Sequence, residues 1–236
     1  MILSPNRKQA PAFSDLGEGE AFHELCHRFI VDSYESSDPF LYELRALLEA
    51  RGFPLIRKET EMFLAFLLDL TKPTAIVEIG TGLGYSSLFF ASQARDAKIF
   101  TVEKDPNRME EARTNIKKSG WKDRIRTFCG EGKDVLTTLY QEGMRGIDWV
   151  FLDGGKNSYQ CLAKEALPLM KKGSLLLCDD VFQRGYALSA CPRPNPYHEG
   201  NRRHMKQFLC YLRENPALRT SFFDVGDGLS VSVYQP

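Results

Sequence analysis

Along the chain, hydrophobic positions change their rhythm near Ala75. Before that point apolar residues recur at helical spacing, and the pattern predicts three helices. The first covers about Gly19 to Tyr34. The second opens at Asp38-Pro39, an N-cap followed by a first-turn proline, and closes at Gly52. The third runs from about Thr60 to Leu70 and stops before Pro73. Beyond Ala75, short apolar runs alternate with amphipathic segments. Ala75–Ile79, Lys98–Val102, Ile125–Cys129, Ile147–Leu152 and Ser174–Cys178 read as strands. About Ser86–Ala94, Asn107–Ser119, Lys133–Gln141 and Tyr159–Leu169 read as the helices between them. Alternation of this kind builds a parallel sheet covered on both faces.

The end of the chain breaks the alternation. A helix at about Arg203–Asn215 is followed by two strand-like runs, Arg219–Val225 and Leu229–Tyr234, joined only by Gly226-Asp227-Gly228. So short a joint makes a hairpin, and one of the two strands must run against the rest. The expected fold class is α/β: a Rossmann-like, seven-stranded, mostly parallel sheet with an antiparallel C-terminal hairpin strand and helices on both faces. A single domain is expected over 1–236, with a helical N-terminal extension over 1–70 and the sheet core over 71–236.

Composition narrows the function without deciding it. The 236 residues are 43% hydrophobic and 26% charged, with a formal net charge of zero. No bulk basic excess argues for nucleic acid, although a local patch can still serve. Met1 to Gly19 is polar and does not read as a signal peptide, and no stretch approaches the length of a membrane span. Cys26, Cys129, Cys161, Cys178, Cys191 and Cys210 are scattered with no CxxC pair, which fits a reduced, cytoplasmic protein.

The candidate chemistry sits where strands end. Glu78-Ile79-Gly80-Thr81-Gly82-Leu83-Gly84-Tyr85-Ser86 follows the first strand and opens a helix. Its glycines permit a tight turn and close approach of a ligand to the backbone. The dinucleotide fingerprint wants a third glycine where this chain has Tyr85, so the pattern points away from a pyrophosphate and toward S-adenosylmethionine. Glu103 closes the second strand, where a carboxylate can accept both ribose hydroxyls. Gly130-Glu131-Gly132 ends the third strand, as an adenine contact or as an ordinary strand-to-helix turn.

Asp153 ends the fourth run and Asp179-Asp180 end the fifth. Ligands of such sheets bind beyond the carboxyl ends of the strands. Neighbouring strands lie about 4.8 Å apart, so if these two are adjacent all three carboxylates can reach one ion. Carboxylates without nearby histidine or cysteine suit Mg²⁺, with Mn²⁺ or Ca²⁺ as alternatives; single acidic residues at strand ends also serve as helix caps. Lys156 stands just after Asp153, either as a solvated lysine or as a base. A divalent ion bound to a substrate hydroxyl lowers its pKa, and the same field favours a neutral lysine that can take the proton.

Other features are weaker. His23 and His27 share a helix face, where partial exposure is a simpler reading than metal binding. Trp149 reads as core, and Trp121 as adenine neighbour or helix cap. Arg184 to His204 lacks periodicity and reads as an acceptor lid or as solvated charge.

Together EIGTGLGYS, TVEKDP, FLDGGKNSY, LLCDD and VGDGLSVS resemble the cation-dependent O-methyltransferase family, which includes catechol and caffeoyl-CoA O-methyltransferases. The resemblance runs from about Gly52 to Tyr234. It implies a cofactor site lined by Ile56, Gly80, Thr81, Ser86, Glu103, Glu131, Gly132 and Asp153, with Glu78, Gly82 and Lys104 in the same set. It also implies metal ligation by Asp153, Asp179 and Asp180 and a catalytic role for Lys156 beside Asp153. Within the family, LEARGFPLI, the basic Asn201-Arg202-Arg203 and the GDG ending are similar to bacterial tRNA 5-hydroxyuridine methyltransferases. The chain departs from the family in Asp179-Asp180, where Asp-Asn is usual, and in Gly154-Gly155, where bulkier residues are common. The extra charge strengthens cation binding but weakens acidification of the substrate, and the glycines widen the acceptor floor.

The expected function is O-methylation of a metal-bound hydroxyl on a planar acceptor. Wobble 5-hydroxyuridine in tRNA is the preferred acceptor, on Arg184, Arg193, Arg202, Arg203 and Lys206 and on the family likeness; a catechol-like small molecule, favoured by neutral net charge, is the alternative. A homodimer through the N-terminal helices is expected from their apolar faces and the family. A non-catalytic cofactor-binding protein and a nicotinamide oxidoreductase are the competing classes.

Overall fold

The computed structural model describes residues 22–34, 38–183, 185–188 and 196–236. Three helices lead: α1 (Phe22–Asp32), α2 (Pro39–Ala50) and α3 (Lys58–Thr71). Asp38 caps α2 as its position implied, its carboxylate accepting from the backbone N–H of Phe40 at 2.9 Å and Leu41 at 3.2 Å. Lys72 takes a left-handed conformation that ends α3 one residue before Pro73.

The sheet contains β1 (Ala75–Ile79), β2 (Lys98–Glu103), β3 (Ile125–Cys129), β4 (Ile147–Leu152), β5 (Met170–Cys178), β6 (Leu218–Phe223) and β7 (Leu229–Tyr234). Between them lie α4 (Tyr85–Gln93), α5 (Pro106–Lys118), α6 (Gly132–Gln141), α7 (Tyr159–Ala166) and α8 (Pro196–Glu214). The strand order is β3-β2-β1-β4-β5-β7-β6. All pairings are parallel except those of β7, which is antiparallel to both neighbours. Thus β7 is the reversed strand, inserted between β5 and β6, a choice the hairpin joint alone left open.

The core has two layers because strands buried on both faces alternate their side chains between them. Trp149, Phe151, Leu175 and Leu177 face a cluster with Leu41, Leu48, Leu64 and Phe90 from α2, α3 and α4. Val150, Leu152, Leu176 and Cys178 face the other, with Leu136, Tyr159 and Phe208 from α6, α7 and α8. The leading helices α2 and α3 are therefore part of one covering layer of the sheet. Trp149 is core, its Nε1 donating to Thr71 Oγ1 at 3.0 Å. Trp121 packs edge-on against Phe40.

Two boundaries differ most from the sequence expectation. β5 starts at Met170 because the exposed Lys171–Gly173 stretch forms an irregularity against β4, hiding the early pairing of Met170 with Ile147. α8 starts at Pro196, well before Arg203. Proline is tolerated in a first helical turn, and the Arg202 guanidinium pairs with Glu199 one turn earlier. Much of the supposed lid is thus helix; residues 184 and 189–195 lie outside the described residues.

Candidate active site

A cavity of about 760 Å³ opens beyond the carboxyl ends of β1, β2, β4 and β5. Its floor is the glycine loop after β1. The backbone N–H groups of Gly80 and Thr81 both donate to the Val102 carbonyl, at 2.9 and 3.1 Å, which ties the loop to β2. Gly80 has φ +111, and a Cβ there would lie 2.1 Å from the Asp153 carbonyl oxygen. Only glycine permits β1 and β4 to end so close together.

Glu103 is nearly buried on the cavity wall. One carboxylate oxygen accepts the Gly82 N–H at 2.9 Å and the other the Asp105 N–H at 3.0 Å. Two main-chain donors thus fix its plane while lone pairs on both oxygens stay available to a diol. Thr81, Gly82, Ser86 and Ile56 line the same cavity, as do Glu131 and Gly132 at the start of α6. Lys104 and Glu131 stand exposed at the rim, 3.9 Å apart.

At the other end, Asp153, Lys156, Asp179 and Asp180 come together because β4 and β5 are neighbours in register, Leu152 opposite Cys178. The Lys156 ammonium lies 3.3 Å from Asp153 Oδ1 and 3.1 Å from Asp180 Oδ2. Asp180 has φ +57, a left-handed geometry uncommon for a non-glycine residue. Its N–H donates to Asp179 Oδ1 at 2.9 Å. Burial, with the repulsion of Asp153 and Asp180, pushes the Asp179 carboxyl well above its ordinary range. Burial and Asp180 raise Asp153 too, against the pull of Lys156. For Lys156, burial opposes the charge, but Tyr159, Asp153 and Asp180 outweigh it and hold the amine protonated.

Residues 33–234 match the family model described as O-methyltransferase. The chain belongs to this O-methyltransferase family. It is 32% identical over 217 residues to a catechol O-methyltransferase of Niastella koreensis, covering 86% of this chain and 96% of that one. A caffeoyl-CoA O-methyltransferase of Eucalyptus globulus is 25% identical, over 95% of this chain and 93% of its own. Among solved structures, the SAH-bound Podospora anserina methyltransferase PaMTH1 superposes with a TM-score of 0.81 at 27% identity, covering 94% and 98% of the two chains. The expected enzyme class, an S-adenosylmethionine-dependent methyltransferase, stands.

One sequence-predicted residue of the methyltransferase takes an unexpected place, and one cluster has unexpected company. Glu78 does not line the cavity; it lies fully buried beneath the loop, accepting from Ser87 Oγ and, at 2.6 Å, from Thr101 Oγ1. The acidic trio shares its space with a cation of the protein itself. Among the described residues no three histidine, cysteine or acidic side chains converge closely enough to cage an ion as they stand. The donor chemistry nevertheless fits a hard cation: three carboxylates crowd at two adjacent strand ends, and burial together with mutual repulsion raises two of them.

Sequence reasoning missed three cavity neighbours. Arg57 and Asp227 both line it and pair at 2.9 Å, joining the segment before α3 to the β6–β7 joint. Asp227 was visible only as the middle of a turn. Tyr159, within the FLDGGKNSY motif, is fully buried and accepts from Lys156 Nζ at 2.8 Å. His27, considered with His23, instead bonds Glu59 at 3.1 Å.

Proposed function

We propose that this methyltransferase moves the methyl group of S-adenosylmethionine to one hydroxyl of a planar, catechol-type phenol, with a divalent cation, Mg²⁺ in the first instance, held by Asp153, Asp179 and Asp180. The observation that carries the reading is the meeting of these three carboxylates with Lys156 at the same cavity that Glu103 and the glycine loop enter. In this reading Glu103 accepts the ribose hydroxyls, Gly80, Thr81, Gly82 and Ser86 receive the amino-acid end, and Ile56 covers it. Glu131, Gly132 and Lys104 border the base, and Glu78 acts from behind the loop. Adenosylmethionine supplies an electrophilic methyl on a sulfonium. A divalent cation supplies charge that acidifies an adjacent hydroxyl and favours a neutral lysine. Lys156, protonated among the bare carboxylates, would lose its proton beside such a cation, and its Nζ would then be the group that takes up the hydroxyl proton. The remaining task of the side chains is to hold oxygen and methyl in line at attack distance, the larger part of such catalysis.

The names of the relatives support a phenolic acceptor. The basic grouping that favours tRNA is partly neutralised, since Arg202 is held by Glu199, while Arg184 and Arg193 fall outside the described residues. Among the described residues no helix is long and apolar enough to cross a membrane. The expected homodimer draws support from the exposed Met62, Phe66 and Leu70 on α3.

The test is transfer of labelled methyl to catechol and to hydroxyuridine-containing tRNA, each with chelator and with Mg²⁺ restored. Catechol methylation that chelation abolishes and Mg²⁺ restores is expected. Turnover indifferent to chelation removes the cation; labelling of tRNA alone removes the phenol.

A further inference from the structure

We infer that Tyr159 is a positioning residue for methyl transfer, its buried hydroxyl aiming the Lys156 amine and locking together the two strand ends that carry the acidic trio. The inference rests on the proposed role of Lys156. The phenol has no exposed surface and is the first residue of α7. A buried Tyr hydroxyl must be satisfied, since it has given up its hydrogen bonds to water; a phenylalanine would fill the same space without that demand.

Here the hydroxyl has three partners, and each belongs to the site. It accepts from Lys156 Nζ at 2.8 Å. Its single proton is shared between the Leu152 carbonyl at 2.9 Å and the Asp179 carbonyl at 3.0 Å. Leu152 immediately precedes Asp153 on β4, and its carbonyl also accepts the Asp179 N–H at 3.0 Å. The Asp179 carbonyl also faces Lys156 Nζ at 3.4 Å. One oxygen atom therefore ties β4 to β5 at the level of the acidic residues and fixes the amine between them.

The ring is fixed in turn. Phe208 of α8 meets it edge-on at 5.5 Å, with an interplanar angle of 84°. Lysine has four rotatable side-chain bonds, so an amine this mobile needs a rigid partner to stay at one point. Tyr159 lies on the next turn of chain after Lys156, and its aromatic stem gives the hydroxyl little freedom.

The experiment compares Tyr159→Phe, Lys156→Met and the double variant, assayed well below their melting temperatures with a catechol acceptor. For Y159F, kcat is expected to fall about 10–100-fold, the scale of a small misplacement. KM for adenosylmethionine and calorimetric affinity for adenosylhomocysteine should stay within about twofold, because the hydroxyl contacts no residue of the glycine loop. In the K156M background the Y159F change should cost no more than about threefold, the part that belongs to the tie between the strand ends. A Y159F kcat within twofold of the parent, or losses that simply multiply, overturns the inference. If K156M itself keeps full turnover, the role of Lys156 fails; if K156M is inactive while Y159F is fully active, only the positioning role fails. Should Y159F not fold, Phe208→Leu keeps the hydroxyl but frees the ring: a few-fold loss in kcat at constant KM supports the inference, and an unchanged kcat overturns it.

Discussion

Glu78 has no exposed surface, and its two oxygens are unequal: Oε2 accepts from Ser87 and Thr101, whereas Oε1 has no hydrogen-bond partner among the described residues. Burial, only partly offset by the hydroxyl donors, raises its pKa to about 7. A carboxyl raised on folding stabilises the protein below its unfolded pKa and loses that contribution as pH rises through the folded value. Glu78→Gln, which cannot ionise, should therefore gain on the parent by about 2–3 kcal/mol between pH 5 and pH 8. Urea midpoints at the two pH values measure this, and a difference that does not change with pH refutes it. In the sequence, Glu78 is indistinguishable from a ligand because it opens the glycine motif. Strand alternation puts it on the face of Ile76, under α4, and that follows only once β1 is placed in the sheet.

Among the elements, the strap from Phe53 to Arg57 between α2 and α3 shows how a peripheral helix pair shapes the cavity. Arg45 of α2 donates to the Ile56 carbonyl at 3.0 Å and to the Tyr85 hydroxyl at 3.0 Å, and it pairs with Glu61 of α3. Tyr85 in turn donates toward both Glu61 oxygens, at 3.1 and 3.0 Å, and Tyr34 joins the same carboxylate. Ile56 and Tyr85 both line the cavity, so this buried pair sets the distance between strap and glycine loop. Breaking a buried ion pair from one side typically costs about 3–5 kcal/mol, whereas replacing both members with apolar groups costs much less. Glu61→Gln is expected to lower stability by about 3 kcal/mol and to weaken adenosylhomocysteine binding; the double change Arg45→Met with Glu61→Leu should recover most of the stability. Denaturation and calorimetry on both variants decide it, and equal destabilisation would speak against the pair. The helices α2 and α3 were legible from their spacing and the Asp38 cap. Their ion pair was not, because Arg45 and Glu61 are remote in sequence and charged residues at such positions normally face water.

At the scale of the molecule, the two core layers of one sheet, the cavity at its edge and one ligand class are linked. A ligand that binds only the folded chain stabilises it by about 2.7 kcal/mol at one hundred times its dissociation constant. For a chain of this size that corresponds to a rise in melting temperature of roughly 5–10 °C. Adenosylhomocysteine should produce it in a concentration-dependent way and NAD should not, because Tyr85 occupies the third glycine position; a shift with NAD alone would reverse the cofactor assignment. Strand and helix identity, the hairpin and the residues at strand ends were all readable in advance, since they depend on short-range periodicity, caps and the length of a joint. Which of the last two strands reversed, how Lys156 stands among the aspartates, and what Tyr159 and Glu78 touch were decided by the tertiary structure. Those depend on register and on the distance between strands far apart in sequence, and no local spacing encodes either.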